Sequence, residues 1–172
     1  MDRITVFIIA LFLIGCSTNA EKQKVVSLGN DLEMLSTCDE TWKSIFDREK
    51  PGLRYRSNFI EERYLSYFEE IDRGVYEPKT DINLFGAKIL SFNPFTAGMS
   101  PGVSVSVNMD FSEMKESVES LKGVTLERCN GNSAVYYCGA KVSKKKSLAV
   151  IKTKSSRGEW ITSVACVYPY RK

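Results

Sequence analysis

Four cysteines, Cys38, Cys129, Cys138 and Cys166, constrain this 172-residue chain most, because pairing them ties a residue near its start to its last third. Thiols pair and stay paired only in an oxidising compartment, and the first residues point to one. After Met1-Asp2-Arg3 comes an apolar run from Ile4 to Ile14, interrupted only by Thr5. A spanning helix needs about 20 apolar residues. This run is shorter and has the length of a signal-peptide core. Export makes two disulfides the expected state, with three possible connectivities. No spacing is CxxC, which argues against a zinc ribbon or a thioredoxin-type redox pair. Cys129 and Cys138 flank a hairpin turn around Asn130-Gly131-Asn132. A two-residue loop at Gly131-Asn132 would set Cys129 opposite Ala134, too far from Cys138 to bond, whereas a longer loop permits the bridge. The expected pairs are Cys129 with Cys138 and Cys38 with Cys166.

The apolar run closes on Leu13-Ile14-Gly15-Cys16. This resembles the bacterial lipoprotein signal, in which Leu, a small or branched residue, and Gly or Ala precede a Cys. The resemblance covers residues 1–17. It implies cleavage after Gly15, diacylglycerol on the Cys16 sulfur and an acyl chain such as palmitate on the new amino group. Several acyl chains anchor stably, at about 0.8 kcal/mol per buried CH₂. In that class Asp after the Cys retains a protein in the inner membrane, so Ser17 implies the outer membrane, with the domain facing the periplasm. The expected organisation is a signal peptide over residues 1–15, a lipidated polar tether over 16–24, and one domain over 25–172.

The chain contains no histidine. Ser-His-Asp and Cys-His catalysis and histidine metal sites are therefore closed to it. No G-x-S-x-G, S-x-x-K or phosphate-cradling glycine loop opens another route. The sequence thus points to no catalytic residue, no cofactor, no metal and no nucleic-acid partner. Charge is divided unevenly. Residues 140–172 carry nine Lys/Arg against Glu159 alone, while residues 16–139 carry an excess of five acidic groups. The basic end could meet an anionic surface or simply attract the acidic part of its own fold.

Periodicity places helices first. Thr37 with Glu40 forms a capping box, followed by Trp42, Ile45 and Phe46 at helical spacing up to Pro51-Gly52. Asn58 with Glu61 begins a second helix, with Ile60, Tyr64, Leu65, Tyr67, Phe68 and Ile71 on one wide stripe and Gly74 as its stop. Strands are expected over 82–92, 103–107, 124–129, 134–142, 147–153 and 160–168. A third helix is inserted where Asp110 and Glu113 form a box, Phe111, Met114, Val118 and Leu121 share a face, and Gly123 terminates. The expected fold is α+β: a single antiparallel sheet of about six strands, with two N-terminal helices and one inserted helix packed on one face.

Two segments are candidate recognition elements. Asn93–Gly102 reads as a Pro/Gly-stiffened loop presenting Phe95 and Met99 to a partner, and Lys144, Lys145 and Lys146 form a basic patch in a turn. The expected function is a membrane-anchored, periplasm-facing module that binds a protein, as inhibitors and immunity proteins do. Envelope immunity proteins and lysozyme-inhibitor lipoproteins are similar to it in size, anchor and disulfide content. The alternatives are a structural or assembly lipoprotein of the envelope and a small hydrolase using carboxylates or Lys.

Overall fold

The computed structural model describes residues 3–39, 66–72, 74–97, 100–144 and 146–168. The chain opens on a long helix, α1 (Arg3–Ser36). Residues 16–24, expected as a tether, lie within it. No described helix is long and apolar enough to cross a membrane. Leu28, Leu32 and Leu35 recur on one face and are buried. Full burial of such side chains contributes about 1.5–3 kcal/mol each, which fixes this part of α1 to the sheet.

Thr37 does not start a helix, as expected, but lies at the end of α1. Cys38 adopts a left-handed φ of 68°. Its amide donates to Leu35 O at 3.4 Å, and the Asp39 amide donates to Met34 O at 2.8 Å. These are the two bonds of a Schellman C-cap. The Thr37 hydroxyl donates back to Glu33 O at 2.8 Å, a carbonyl that also accepts the Thr37 amide at 2.9 Å. The remainder of the helix expected from Thr37, with Glu40, lies outside the described residues.

The second expected helix is corrected at its end. Its residues before 66 lie outside the description, but Phe68–Asp72 is strand β1, paired antiparallel with β2 (Val75–Pro78). Gly74, at φ 79°, makes the turn between them and does not stop a helix. The strand expected over 82–92 divides into β3 (Asn83–Leu84) and β4 (Ala87–Ala97). Phe85 and Gly86 turn the chain with φ of 51° and 80°, the paired positive values a two-residue hairpin requires. Then come β5 (Ser100–Val107), α2 (Phe111–Lys122), β6 (Arg128–Gly131), β7 (Val135–Lys141), β8 (Ser147–Lys154) and β9 (Trp160–Val167).

The fold is α+β, mostly antiparallel sheet with two helices among the described residues. Its strand order is β1-β2-β4-β5-β9-β8-β7-β6, with β3 paired to β4. Nine strands replace the expected six. Inward positions form continuous rows across the ladders. Tyr76, Phe92, Val105, Val164, Val150 and Cys138 follow one another in register, and the row ends at the sheet edge on the exposed Cys129. α1 packs on β3, β5 and β9, and α2 on β8 and β9. Met114 and Val118 of α2 enter the same core as the α1 leucines.

α2 matches its expected bounds, from Asp110 in extended conformation to Gly123 in left-handed conformation. Leu121, expected on its apolar face, is exposed. Glu119 accepts from Lys115 Nζ and from the Leu126 amide, both at 2.6 Å. These bonds hold its carboxyl below the usual range, the one from Lys115 foremost.

Candidate functional site

Both expected disulfides are present. Cys129 and Cys138 face each other directly across β6 and β7, with Cα atoms 4.0 Å apart. The hairpin turns two residues later than expected. Asn132 lies at the start of the turn, where its side-chain oxygen accepts from the Ala134 and Val135 amides at 2.8 and 2.9 Å. Ser133 and Ala134 are then the two loop residues, and the shifted register brings the cysteines together.

Cys38–Cys166 joins the C-terminal end of α1 to the central strand β9. Side chains from other elements bond carbonyls at the C-terminal end of α1 and just beyond it. Lys146 Nζ donates to Cys38 O at 3.1 Å, and the Tyr168 hydroxyl donates to Leu35 O. Lys146 also lies over the Tyr168 ring, 5.6 Å from its centroid. A cation and a hydroxyl at a helix C-terminus complement its exposed carbonyls. Burial, and then the nearby Asp39 charge, push the Tyr168 phenol well above its usual range, so it stays a donor.

Lys146 is therefore buried in this fastening and is not available to a surface patch. Lys144 is exposed, and Lys145 lies outside the described residues. The expected recognition loop is also corrected. Residues 93–97 and 100–102 belong to the β4–β5 hairpin, in which Phe95 pairs with Gly102. A Cβ on Gly102 would fall 2.5 Å from the Phe95 ring, so the ring lies directly over the glycine. Phe95 is an intrasheet contact, and Met99 lies outside the described residues. The backbone at Cys16 is helical, within α1.

Two surfaces that the sequence reading missed emerge from the sheet. The first is the face opposite the helices. Its positions on β5, β9, β8 and β7 are Gly102, Ser104, Ser106; Ile161, Ser163, Ala165, Val167; Ser147, Ala149, Ile151, Thr153; and Val135, Tyr137, Gly139, Lys141. Lys141 is the one charged residue among them. Ser106 and Ser163 share a hydroxyl hydrogen bond of 2.9 Å across the centre. The centre of this face is closely packed, with Ser163 and Ala165 buried at 7% and 3%, while Tyr137 and Val135 stand up at one side, 39% and 38% exposed. Alternation along β7 and β8 carried the signal, but without the register the four strands could not be laid side by side.

The second surface is the end of the sheet where β8 turns into β9. Lys152 Nζ lies 5.4 Å from the Phe111 ring centroid, 5.3 Å from Tyr136 and 5.2 Å from Trp160. Rings from three elements thus converge on one ammonium from a fourth, and such contacts add about 0.5–2 kcal/mol each with burial. Lys154 lies 5.9 Å from the Trp160 ring, and Trp160 is 47% exposed.

No family model matches the chain, and no curated protein or solved structure is significantly similar to it.

Proposed function

We propose that the protein is a lipid-anchored module of the cell envelope that binds another protein on the open face of its sheet. The observation that carries this reading is the composition of that face. Across four adjacent strands it bears Ser, Ala, Gly, Val, Ile, Thr and Tyr, with Lys141 alone charged. The exposed face of an antiparallel sheet ordinarily alternates to polar residues that water solvates. A face nearly free of charge, with Ser163 and Ala165 at its centre already buried, loses little by desolvation when a partner covers it. Tyr137 at its margin is the kind of anchor on which interface energies concentrate. Export and anchoring are supported by the Leu13–Cys16 motif and by two disulfides, which persist outside the cytoplasm. The reading includes no catalytic role: its surfaces offer shape and apolar contact, without a histidine in the chain.

The test is capture of envelope proteins by the tagged full chain, beside Tyr137→Glu and Ile151→Glu variants. Both substitutions place a carboxylate on the open face and leave the helix-covered core untouched. The expected result is one stoichiometric protein retained by the parent and lost from both variants, whose far-ultraviolet spectra are unchanged. Retention of the same protein by both variants would remove the open face from the proposal. A Cys16→Ala chain that still incorporates labelled fatty acid would remove the anchor.

A further inference from the structure

Resting on the reading of Cys16 as the lipid-bearing residue, we infer that the β8–β9 end of the sheet docks onto the anionic surface of the bilayer that holds the lipid. Lys152, Lys154 and Arg157 meet the headgroup phosphates, and Trp160 sits at headgroup depth.

The direction of α1 is the first argument. A Cβ on Gly29 would lie 2.7 Å from Asn83 O, so α1 touches β3 there. Asn83 pairs with Lys88, the neighbour of Ile89. Ile89 pairs with Val107, and Val107 with Thr162. Gly29 is thus level with the start of β9, whereas Cys38 is bonded to Cys166 near its end. α1 therefore runs in the same sense as β9, and its N-terminal part leaves the sheet past the Trp160 end. Asn19–Lys24 are exposed all round, as residues of a helix that has left its support. Cys16 precedes Gly29 by thirteen residues, about 20 Å of helix at 1.5 Å per residue. Trp160 lies about 7 Å beyond Thr162 on the same side, and the turn over residues 155–159 reaches further. The lipid and the β8–β9 turn point the same way.

The chemistry of that end is the second argument. Trp160 offers an apolar body with one N–H, the side chain that gathers at membrane–water interfaces. The Lys152 ammonium is half-buried over three rings at this end, a cation held beside the exposed indole. Arg157 is exposed at the tip of the turn. Glu159 opposes these three cations, and Asp110 and Glu113 stand at the adjacent start of α2. The β6–β7 turn at this end, Asn132–Ala134, adds no charge. Asp81 and Lys88 neutralise each other at 2.6 Å. Basic side chains beside a lipid anchor are attracted to an anionic leaflet, and that attraction orients the domain without being needed to hold it.

The experiment uses the lipid-modified full chain with Trp42→Phe, which leaves Trp160 as the one indole. It is reconstituted in vesicles of phosphatidylcholine, alone or with about 30 mol% phosphatidylglycerol, enough to give a strongly anionic surface. The chain should float with both. With the anionic vesicles alone, Trp160 emission should move to shorter wavelength and be quenched by brominated acyl chains. About 0.5 M salt should reverse the shift by screening, and so should Lys154→Glu with Arg157→Glu, both solvent-exposed side chains. Flotation with identical Trp160 emission on the two vesicles would overturn docking while leaving the anchor in place. Emission that shifts only when an acidic envelope protein is added would also overturn it and assign the patch to that protein. Failure to float on either vesicle would bring down the lipid assignment itself, and this inference with it.

Discussion

Removing Cys38–Cys166 should cost the fold about twice as much as removing Cys129–Cys138. The first bond closes a loop with a sequence separation of 128 and the second one of 9. Loop-closure entropy grows with the logarithm of loop length. It gives about 5 kcal/mol for the long loop and about 2.5 kcal/mol for the short one. The short loop is nested in the long one, but on a logarithmic scale that shortens it negligibly. Side-chain terms act in the same direction. Cys38 and Cys166 are both buried, so both alanines leave a void, whereas in the other pair only Cys138 is buried and Cys129 is exposed. The left-handed φ of Cys38 adds about 1 kcal/mol of strain that the bond helps to hold. The assay is urea unfolding of the Cys38→Ala/Cys166→Ala and Cys129→Ala/Cys138→Ala chains. With a slope of about 2 kcal/mol per molar, the midpoints should fall by about 2.5 M and about 1.3 M respectively. Equal losses, or a larger loss from the short loop, would refute the reasoning. They would mean that the burial of Leu28, Leu32 and Leu35 holds α1 in place without the bond.

Two glycines should separate a yielding contact from a rigid one. Gly131→Ala drives a Cβ to 2.4 Å from Val135 O and 2.6 Å from Tyr136 Cα, both backbone, whereas Gly102→Ala meets only the Phe95 ring. Thermal unfolding should show about 2–3 kcal/mol lost in the first and about 1 kcal/mol in the second; a reversed order would place the strain wrongly. Glu119 bears on acid stability. Its folded pKa is depressed, so its contribution is complete above its ordinary value of 4.5 and is lost as pH falls through the lower folded value. Urea midpoints of Glu119→Gln should therefore fall less steeply than the parent's below about pH 4.5. Parallel curves would show that the bond to Leu126 does not depend on the carboxylate charge.

The sequence disclosed most where local chemistry and tertiary context agree. Asp110 before Phe111, the spacing of Met114 and Val118, and Gly123 after Lys122 all call for one helix, and α2 has those bounds. The cysteine pairs could be anticipated because the expected export would demand pairing and a hairpin with a suitable loop could join Cys129 to Cys138. The reading failed where tertiary pairing overrides local preference. Phe68-Glu-Glu-Ile-Asp72 is helix-favouring by composition, yet β2 takes it as the edge of the sheet. Its exposed carboxylates suit an edge that must not pair with another molecule. Pro94 and Pro101 suggested a loop because proline cannot donate to a ladder. β2 pairs with β4 only through Tyr76 and Phe92, so Pro94 falls where one side of its strand is unpaired. Lys146 resembled its neighbours Lys144 and Lys145, and nothing local marks it as the residue that reaches Cys38 O. The two candidate surfaces depend on register across four or more strands, information that no window of sequence contains.

Strand β9 joins these features mechanically. It is paired on both sides, to β5 and β8, and Val164 at its centre is fully buried. Cys166 near one end receives α1, and Trp160 at the other end stands beside the lysines of β8. With Cys16 acylated, tension between membrane and domain would pass down α1, through the disulfide, and into the strand least able to leave the sheet. Ser163 and Ala165 of the same strand lie, themselves buried, at the centre of the face whose margin Tyr137 and Val135 expose. A partner held there would sit on the strand that receives the tether. Docking of the Trp160 end would orient that strand to the bilayer and present the open face sideways to it. The orientation of a bound partner would then be set by β9 and by the length of α1 between Cys16 and Gly29.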